Sequence, residues 1–273
     1  MEERFVVVNG AKLYVQAWLP KKPKRAVILA HGFNSDLREL GDLPASLLEA
    51  GIAAYAFDQQ GFGRSEGEAG RVDLGRFTAA IEALLQMARE DGCQRIAGLG
   101  HSLGASLMLG YASRGGFDAL ALAHPVRCLW DELRPHEQLY FGFMGRRGKK
   151  RAARGLPEGE VPYTVRAKHI AREPHAIATI KEMQLLRKRV NTGNYDFART
   201  MNAEQWARRI QCPALFVTSP HDTVVQPANS LKVLQAVRTD VTHIEHLGGH
   251  SCFLDHDRSH VIDEVVHWLE DTL

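Results

Sequence analysis

The stretch RIAGLGHSLGASLMLGYASR, residues 95–114, decides the fold. Arg95 to Leu99 is a short apolar run suited to a strand buried on both faces, and Leu103 to Arg114 is helix-forming. Between them Gly100-His101-Ser102-Leu103-Gly104 fits the pattern G-x-S-x-G. A serine on so sharp a strand-to-helix turn is lifted above the strand ends, and glycine at 100 and 104 allows close backbone approach. The amide of Leu103 then falls at a helix N-terminus, where it can donate to a developing oxyanion. By itself the pentapeptide equally suits a serine that caps a helix after a buried strand. Its neighbours have to decide.

On the N-terminal side, Arg25 to Ala30 (RAVILA) and Ile52 to Phe57 are two more continuous apolar runs. The first ends in His31-Gly32-Phe33, the second in Asp58 and the loop Gly61-Phe62-Gly63-Arg64-Ser65. Leu43 to Ala50 has helical spacing and closes at Gly51. Asp73 to Glu90 repeats apolar residues at Leu74, Phe77, Ile81, Leu84, Leu85 and Ala88, period 3.6. Arg4 to Val8 and Lys12 to Trp18 form a hairpin around Asn9-Gly10. On the C-terminal side, Ala119 to Ala123 is a strand and the alternation stops at Pro125. It resumes with strand Ala214 to Thr218, helix Ser230 to Val237, strand Val241 to Leu247 and helix Val261 to Leu269. Strands alternating with amphipathic helices predict an α/β fold, a mostly parallel sheet with helices on both faces. Residues 1–125 and 210–273 make that core. Residues 126–209 carry no strong strand run and read as a helical insertion interrupted by Pro157 and Pro162.

The insertion is also where the charge lies. Net charge is only +2 over 273 residues, yet residues 126–209 hold 18 Lys plus Arg against 9 Asp plus Glu. The basic run Arg146 to Arg154 reads as a solvated loop, and also as a surface for anionic substrates or carriers, such as phospholipid headgroups, coenzyme A thioesters or an acyl carrier protein. It has no interleaved aromatics, so no nucleic-acid partner is expected. Leu139, Tyr140, Phe141, Phe143 and Met144 before it, and Ile177, Ile180, Met183, Leu185 and Leu186 after it, read as the insertion's own core, some also as walls of an acyl pocket. No stretch is apolar enough to span a bilayer. Cys93, Cys128, Cys212 and Cys252 are scattered as reduced thiols are, so the expected location is cytoplasmic. The 13 histidines show no HExxH or Cys/His grouping, and Gly61-Phe62-Gly63 opens no dinucleotide-binding helix. Neither a metal nor a cofactor is expected.

A serine hydroxyl needs an oriented base. His250, in Gly248-Gly249-His250, follows the last strand and can fold back over the sheet's carboxyl ends. Asp222, in Ser219-Pro220-His221-Asp222, follows strand Ala214 to Thr218 at the same edge and can fix the imidazole tautomer. Singly, Asp222 reads as a cap and His250 as a turn residue. Together they stand in the order serine, acid, histidine that a nucleophile elbow of this kind requires. Asp196, Asp255 and Asp257 are weaker candidates for the acid, since none follows a strand directly. The second oxyanion donor is expected at the amide of Phe33, after Gly32.

With the triad, His31-Gly32-Phe33, the loop Asp58 to Ser65 and Gly249-His250, the chain resembles α/β-hydrolases of the monoacylglycerol lipase, lysophospholipase and serine aminopeptidase-like group. The resemblance covers about residues 5–125 and 210–273. It implies that the Asp58 loop is architectural and that the insertion is a cap (lid) over the substrate site. The expected activity is hydrolysis of a carboxylic ester with a small to medium acyl chain. An acyl thioesterase, an aminopeptidase-like hydrolase of the same fold and a non-catalytic binding protein are the alternatives.

Overall fold

Eight strands form one sheet in the computed structural model, which describes residues 1–273. The hairpin comes first: β1 (Glu2–Val8) and β2 (Ala11–Trp18) pair antiparallel. Asn9 and Gly10 between them have φ of 51° and 78°, the left-handed backbone that matches a two-residue turn to the strand twist. There follow β3 (Arg25–Ala30), α1 (Leu43–Glu49), β4 (Ala53–Phe57), α2 (Leu74–Glu90), β5 (Arg95–His101), α3 (Leu103–Ala112) and β6 (Ala119–Ala123). The chain then leaves the sheet for α4 (Pro135–Ala152), β7 (Glu160–Pro162), α5 (Ala167–Ile170), α6 (Pro174–Glu182), β8 (Arg189–Asn191), α7 (Tyr195–Thr200) and α8 (Ala203–Ala207). It returns with β9 (Ala214–Thr218), α9 (Pro227–Ala236), β10 (Val241–Glu245) and α10 (Arg258–Thr272).

The strands lie in the order β1-β2-β4-β3-β5-β6-β9-β10, and every pair from β4 to β10 is parallel. Parity sorts the apolar runs between two cores. In β3, Ala26, Ile28 and Ala30 join the cluster under α2, α3 and α9, while Val27 and Leu29 join the one under α1 and α10. That is why RAVILA has no polar alternation: each of its faces meets a helix layer. A fully buried leucine such as Leu47 contributes roughly 1.5–3 kcal/mol through burial. The chain reverses direction across the sheet at β3, with β4 on one side and β5 on the other. Ligand crevices in open α/β sheets form at such a switch point, beyond the strands' carboxyl ends. His31-Gly32-Phe33 and Ser102 both emerge there.

The 126–209 segment departs from its sequence expectation in three ways. It contains a short antiparallel pair, β7 with β8, built from three-residue strands too brief to show a period. The basic run is not a loop: Arg146 to Ala152 form the last turns of α4. Leu139, Tyr140 and Phe143, expected in a core, are 73%, 51% and 58% exposed. Their place is taken by Gly142, Gly145 and Gly148, which are the buried residues of α4. A Cβ on Gly145 would stand 2.4 Å from Cγ of Tyr195, and one on Gly148 2.5 Å from Oγ1 of Thr192. The helix therefore packs on a backbone face and turns its large side chains outward. Ile180 and Leu185 do form a small core with Ile170 and Ala176, and Ile177, Met183 and Leu186 pack against it.

Candidate active site

Ser102 stands between β5 and α3 with φ 55° and ψ −122°, a strained backbone for a residue bearing a Cβ. The two glycines around it have no alternative. A Cβ on Gly100 would lie 2.4 Å from the amide nitrogen of Ala105, and one on Gly104 2.3 Å from the carbonyl oxygen of His31. Ser102 holds the N-cap position of α3 yet makes no capping hydrogen bond. Its Oγ lies instead 2.9 Å from Nε2 of His250.

His250, on the loop after β10, has its Nδ1 2.7 Å from Oδ2 of Asp222. Asp222 follows β9, and its Oδ1 accepts the Val224 and Val225 amides at 2.8 and 3.0 Å. Burial alone would favour the protonated acid. The attraction of His250 and hydrogen bonds from His124 and His250 outweigh it, and hold the Asp222 carboxyl well below its ordinary range. All three side chains are buried. Of the other acids weighed, Asp255 accepts the amides of Gly249, Arg172 and Glu173, and Asp257 accepts that of Leu247. Asp196 pairs with Lys149. None of them touches the His250 ring.

The amides of Phe33 and Leu103 are not spent on any other hydrogen bond. Gly32 abuts the serine, since a Cβ there would be 3.0 Å from Cβ of Ser102, and the Phe33 amide follows directly. The Gly32 amide donates to Glu39 Oε1, which also lies 2.8 Å from Nδ1 of His101. His101 Nε2 donates to the carbonyl of His250 at 2.7 Å. With a carbonyl on one nitrogen and a carboxylate on the other, both carry hydrogen and the ring is an imidazolium. Burial opposes each charge. The mutual attraction prevails, drawing the Glu39 carboxyl down to about 2 and raising His101.

Sequence reasoning missed Glu39, His101, His124 and His246 as members of this cluster. His124 had a usable signal, for it follows a strand just as Asp222 does. His246 joins the cluster through His124, Nε2 to Nε2 at 2.9 Å. The Asp58 loop is architectural as the resemblance implied: Asp58 accepts the Leu37 and Arg64 amides at 2.9 and 2.7 Å. A cavity of about 660 Å³ is lined by Asn34, Arg38, Asp58, Arg64 and Arg187 among others, and not by Ser102.

Residues 21–257 match the family model Hydrolase_4, serine aminopeptidase S33. The chain belongs to this family. The S33 chain is 26% identical to a monoacylglycerol lipase of Mycolicibacterium smegmatis, over 98% of its own length and 96% of that protein's. Its fold matches the crystal structure of a Paleococcus ferrophilus monoacylglycerol lipase, with TM-score 0.78, 21% identity and coverage of 96% and 99%. It also matches a soluble variant of the monoglyceride lipase of Saccharomyces cerevisiae, with TM-score 0.79, 18% identity and coverage of 99% and 95%. The S33 chain is thus an α/β-hydrolase of the lipase and esterase type. None of its helices is long and apolar enough to cross a membrane.

Proposed function

We propose that the protein is a serine hydrolase that cleaves a carboxylic ester of a small to medium acyl chain, with Ser102 as nucleophile, His250 as base and Asp222 as the orienting acid. The observation that carries this is the hydroxyl of Ser102, held on a left-handed backbone, free of its cap, and 2.9 Å from an imidazole whose far nitrogen meets a buried carboxylate. Ser102 Oγ bonds to the ester carbonyl carbon while its proton passes to His250 Nε2. The carbonyl electron pair moves onto oxygen, where the amides of Phe33 and Leu103 receive it. Each such donor is worth about 10²–10³ in rate. Collapse expels the alkoxide, which takes the proton from Nε2. Water, deprotonated by the same nitrogen, then bonds to the acyl carbon, and Ser102 Oγ leaves with that proton as the acid is released. The scheme calls for no metal or cofactor.

In this reading residues 126–209 form the cap and set the substrate. The similarity to monoacylglycerol lipases and the apolar rings of Phe33, Phe62 and Tyr163, which stack edge to face, support an acyl ester. The basic end of α4 supports anionic substrates or carriers, thioesters included, as the second reading. The four free cysteines fit a reducing compartment, and we assign the protein to the cytoplasm.

Labelling with a fluorophosphonate tests the nucleophile. The wild type should take up one equivalent and Ser102→Ala none; a folded wild type that stays unlabelled would sink the proposal. A panel of matched esters, thioesters and amino-acid amides should show esters hydrolysed fastest. A thioester preference would favour the second reading, and an amide preference an aminopeptidase.

A further inference from the structure

We propose that His124 is a positioning residue for the catalytic acid, held in the required tautomer by His246; this rests on the triad reading above. Asp222 Oδ2 is shared. It lies 2.7 Å from His250 Nδ1 and 2.8 Å from His124 Nδ1. With the Val224 and Val225 amides on Oδ1, the carboxylate accepts four hydrogens, the full complement of an ionised acid.

The direction of each hydrogen follows from a backbone amide that can only donate. Gly248 N–H donates to His246 Nδ1 at 3.1 Å, so the hydrogen of a neutral His246 sits on Nε2. That hydrogen points at His124 Nε2, 2.9 Å away, so His124 accepts there and carries its own hydrogen on Nδ1. Nδ1–H faces Asp222. Every ring lone pair in the chain is thereby engaged. His124 and His246 are 1% and 2% exposed, and burial holds both below the ordinary imidazole range, His124 at about 4 despite the attraction of Asp222. Both stay neutral.

The placement is built into the fold. His124 leaves β6 with φ 51°, close to the 55° of Ser102 as it leaves β5, and its amide is fixed to the carbonyl of Val217 at 2.8 Å. Two adjacent strand exits thus present the nucleophile and the partner of its acid in like fashion. A neutral donor on Oδ2 does two things for catalysis. It stops the carboxylate rotating away from His250, and it lowers the proton affinity of Asp222, so that the imidazolium formed during attack keeps its Nδ1 hydrogen and its charge, and its Nε2–H stays acidic enough to protonate the leaving group.

The test compares His124→Phe, which keeps a ring but removes the donor, with His124→Asn, whose side-chain amide restores a donor at the Nδ1 position and tolerates the backbone. The expected result for His124→Phe is a kcat lowered about tenfold to a hundredfold, the size of a lost hydrogen bond to a charged group, at unchanged KM. His124→Asn should recover kcat to within a few fold. The acid limb of the kcat/KM profile should move in His124→Phe, because His250 then faces a more basic carboxylate. The other groups facing His124 are the His101 and His250 rings and the Cys252 thiol, with Asp255 and Asp257 beyond His246; none is altered. Should His124→Phe fail to fold, His246→Leu removes only the tautomer-setting donor and should lower kcat in the same sense. Nitrogen-15 shifts of the wild-type ring should show hydrogen on Nδ1 of His124. Hydrogen on Nε2, or a folded His124→Phe or His246→Leu with wild-type kcat and pH profile, overturns the proposal. If Ser102→Ala retains activity, the triad reading falls whatever His124 does.

Discussion

At the scale of single residues, the site rests on two buried charge systems that meet at His250. One is Asp222 between two imidazoles; the other is Glu39 with His101, which donates to the backbone carbonyl of His250. Ser102, Asp222 and His250 were legible because each follows a strand, and strand ends share one edge. Glu39 was not, because it lies in the short helical turn Leu37–Leu40 and follows no strand directly. The Glu39 pair has a definite pH signature. Its carboxyl is drawn from 4.5 to about 2, so its contribution to stability is complete above pH 4.5 and is lost as pH falls from there towards 2. His101 is raised from 6.5, so its share is present below 6.5 and is lost as pH rises through the higher value. Both charges are therefore in place near pH 5.5–6. Glu39→Gln should cost about 2–3 kcal/mol there, less than the most that breaking a buried pair can cost because His101 can shed its proton. Urea midpoints measured from pH 3 to 8 should show the acid-side decline flattened in the variant. An unchanged profile would remove the ion pair from the stability of the site.

Among the elements, α4 shows why a correct composition gave a wrong orientation. Its apolar residues were assigned to a core because large side chains usually face inward. The governing signal was the glycine spacing 142, 145, 148, which gives a helix one flat face. On that face α4 meets Tyr195, Trp130 and Thr192. The outer face then combines exposed Leu139, Tyr140 and Phe143 with the basic last turns. The cations are not equivalent. Lys149 pairs with Asp196 at 2.6 Å and Arg151 donates to the carbonyl of Pro157, whereas Arg146, Arg147 and Lys150 have no such partner. These three are the residues available to an anionic substrate or carrier. Replacing them together by alanine should raise KM about threefold to tenfold for anionic esters at low salt, leave neutral esters unaffected, and lose its effect at high salt as screening takes over. Equal kinetics on both substrate classes would leave the charge of α4 without a role in substrate capture.

For the whole molecule, the order of apolar runs was enough to predict the sheet, its two covering layers and the edge where Ser102, Asp222 and His250 meet. How the insertion seats on that edge was not readable, because its attachments join residues far apart in the chain. Asn34, next to Phe33, exchanges bonds with Arg187, whose backbone amide donates to its carbonyl at 2.9 Å and whose carbonyl accepts from its side chain at 2.6 Å. Asp255, which also accepts the Gly249 amide, holds the Arg172 and Glu173 amides, and Asn194 accepts the amide of Val72 at 2.8 Å. The insertion is thus fastened to the core at these points among others, and Ser102 is only 6% exposed. Tyr163 packs edge-on against the Phe33 ring, centroids 5.7 Å apart. On the proposed mechanism we infer that the acyl chain enters past the Tyr163 ring, where a longer chain needs more room than a short one. Tyr163→Ala should raise kcat/KM for an octanoate ester relative to an acetate ester by about threefold or more, while thermal stability falls by a few degrees for the lost aromatic contact. A chain-length profile identical to that of the wild type would place the entrance elsewhere on the rim of the insertion.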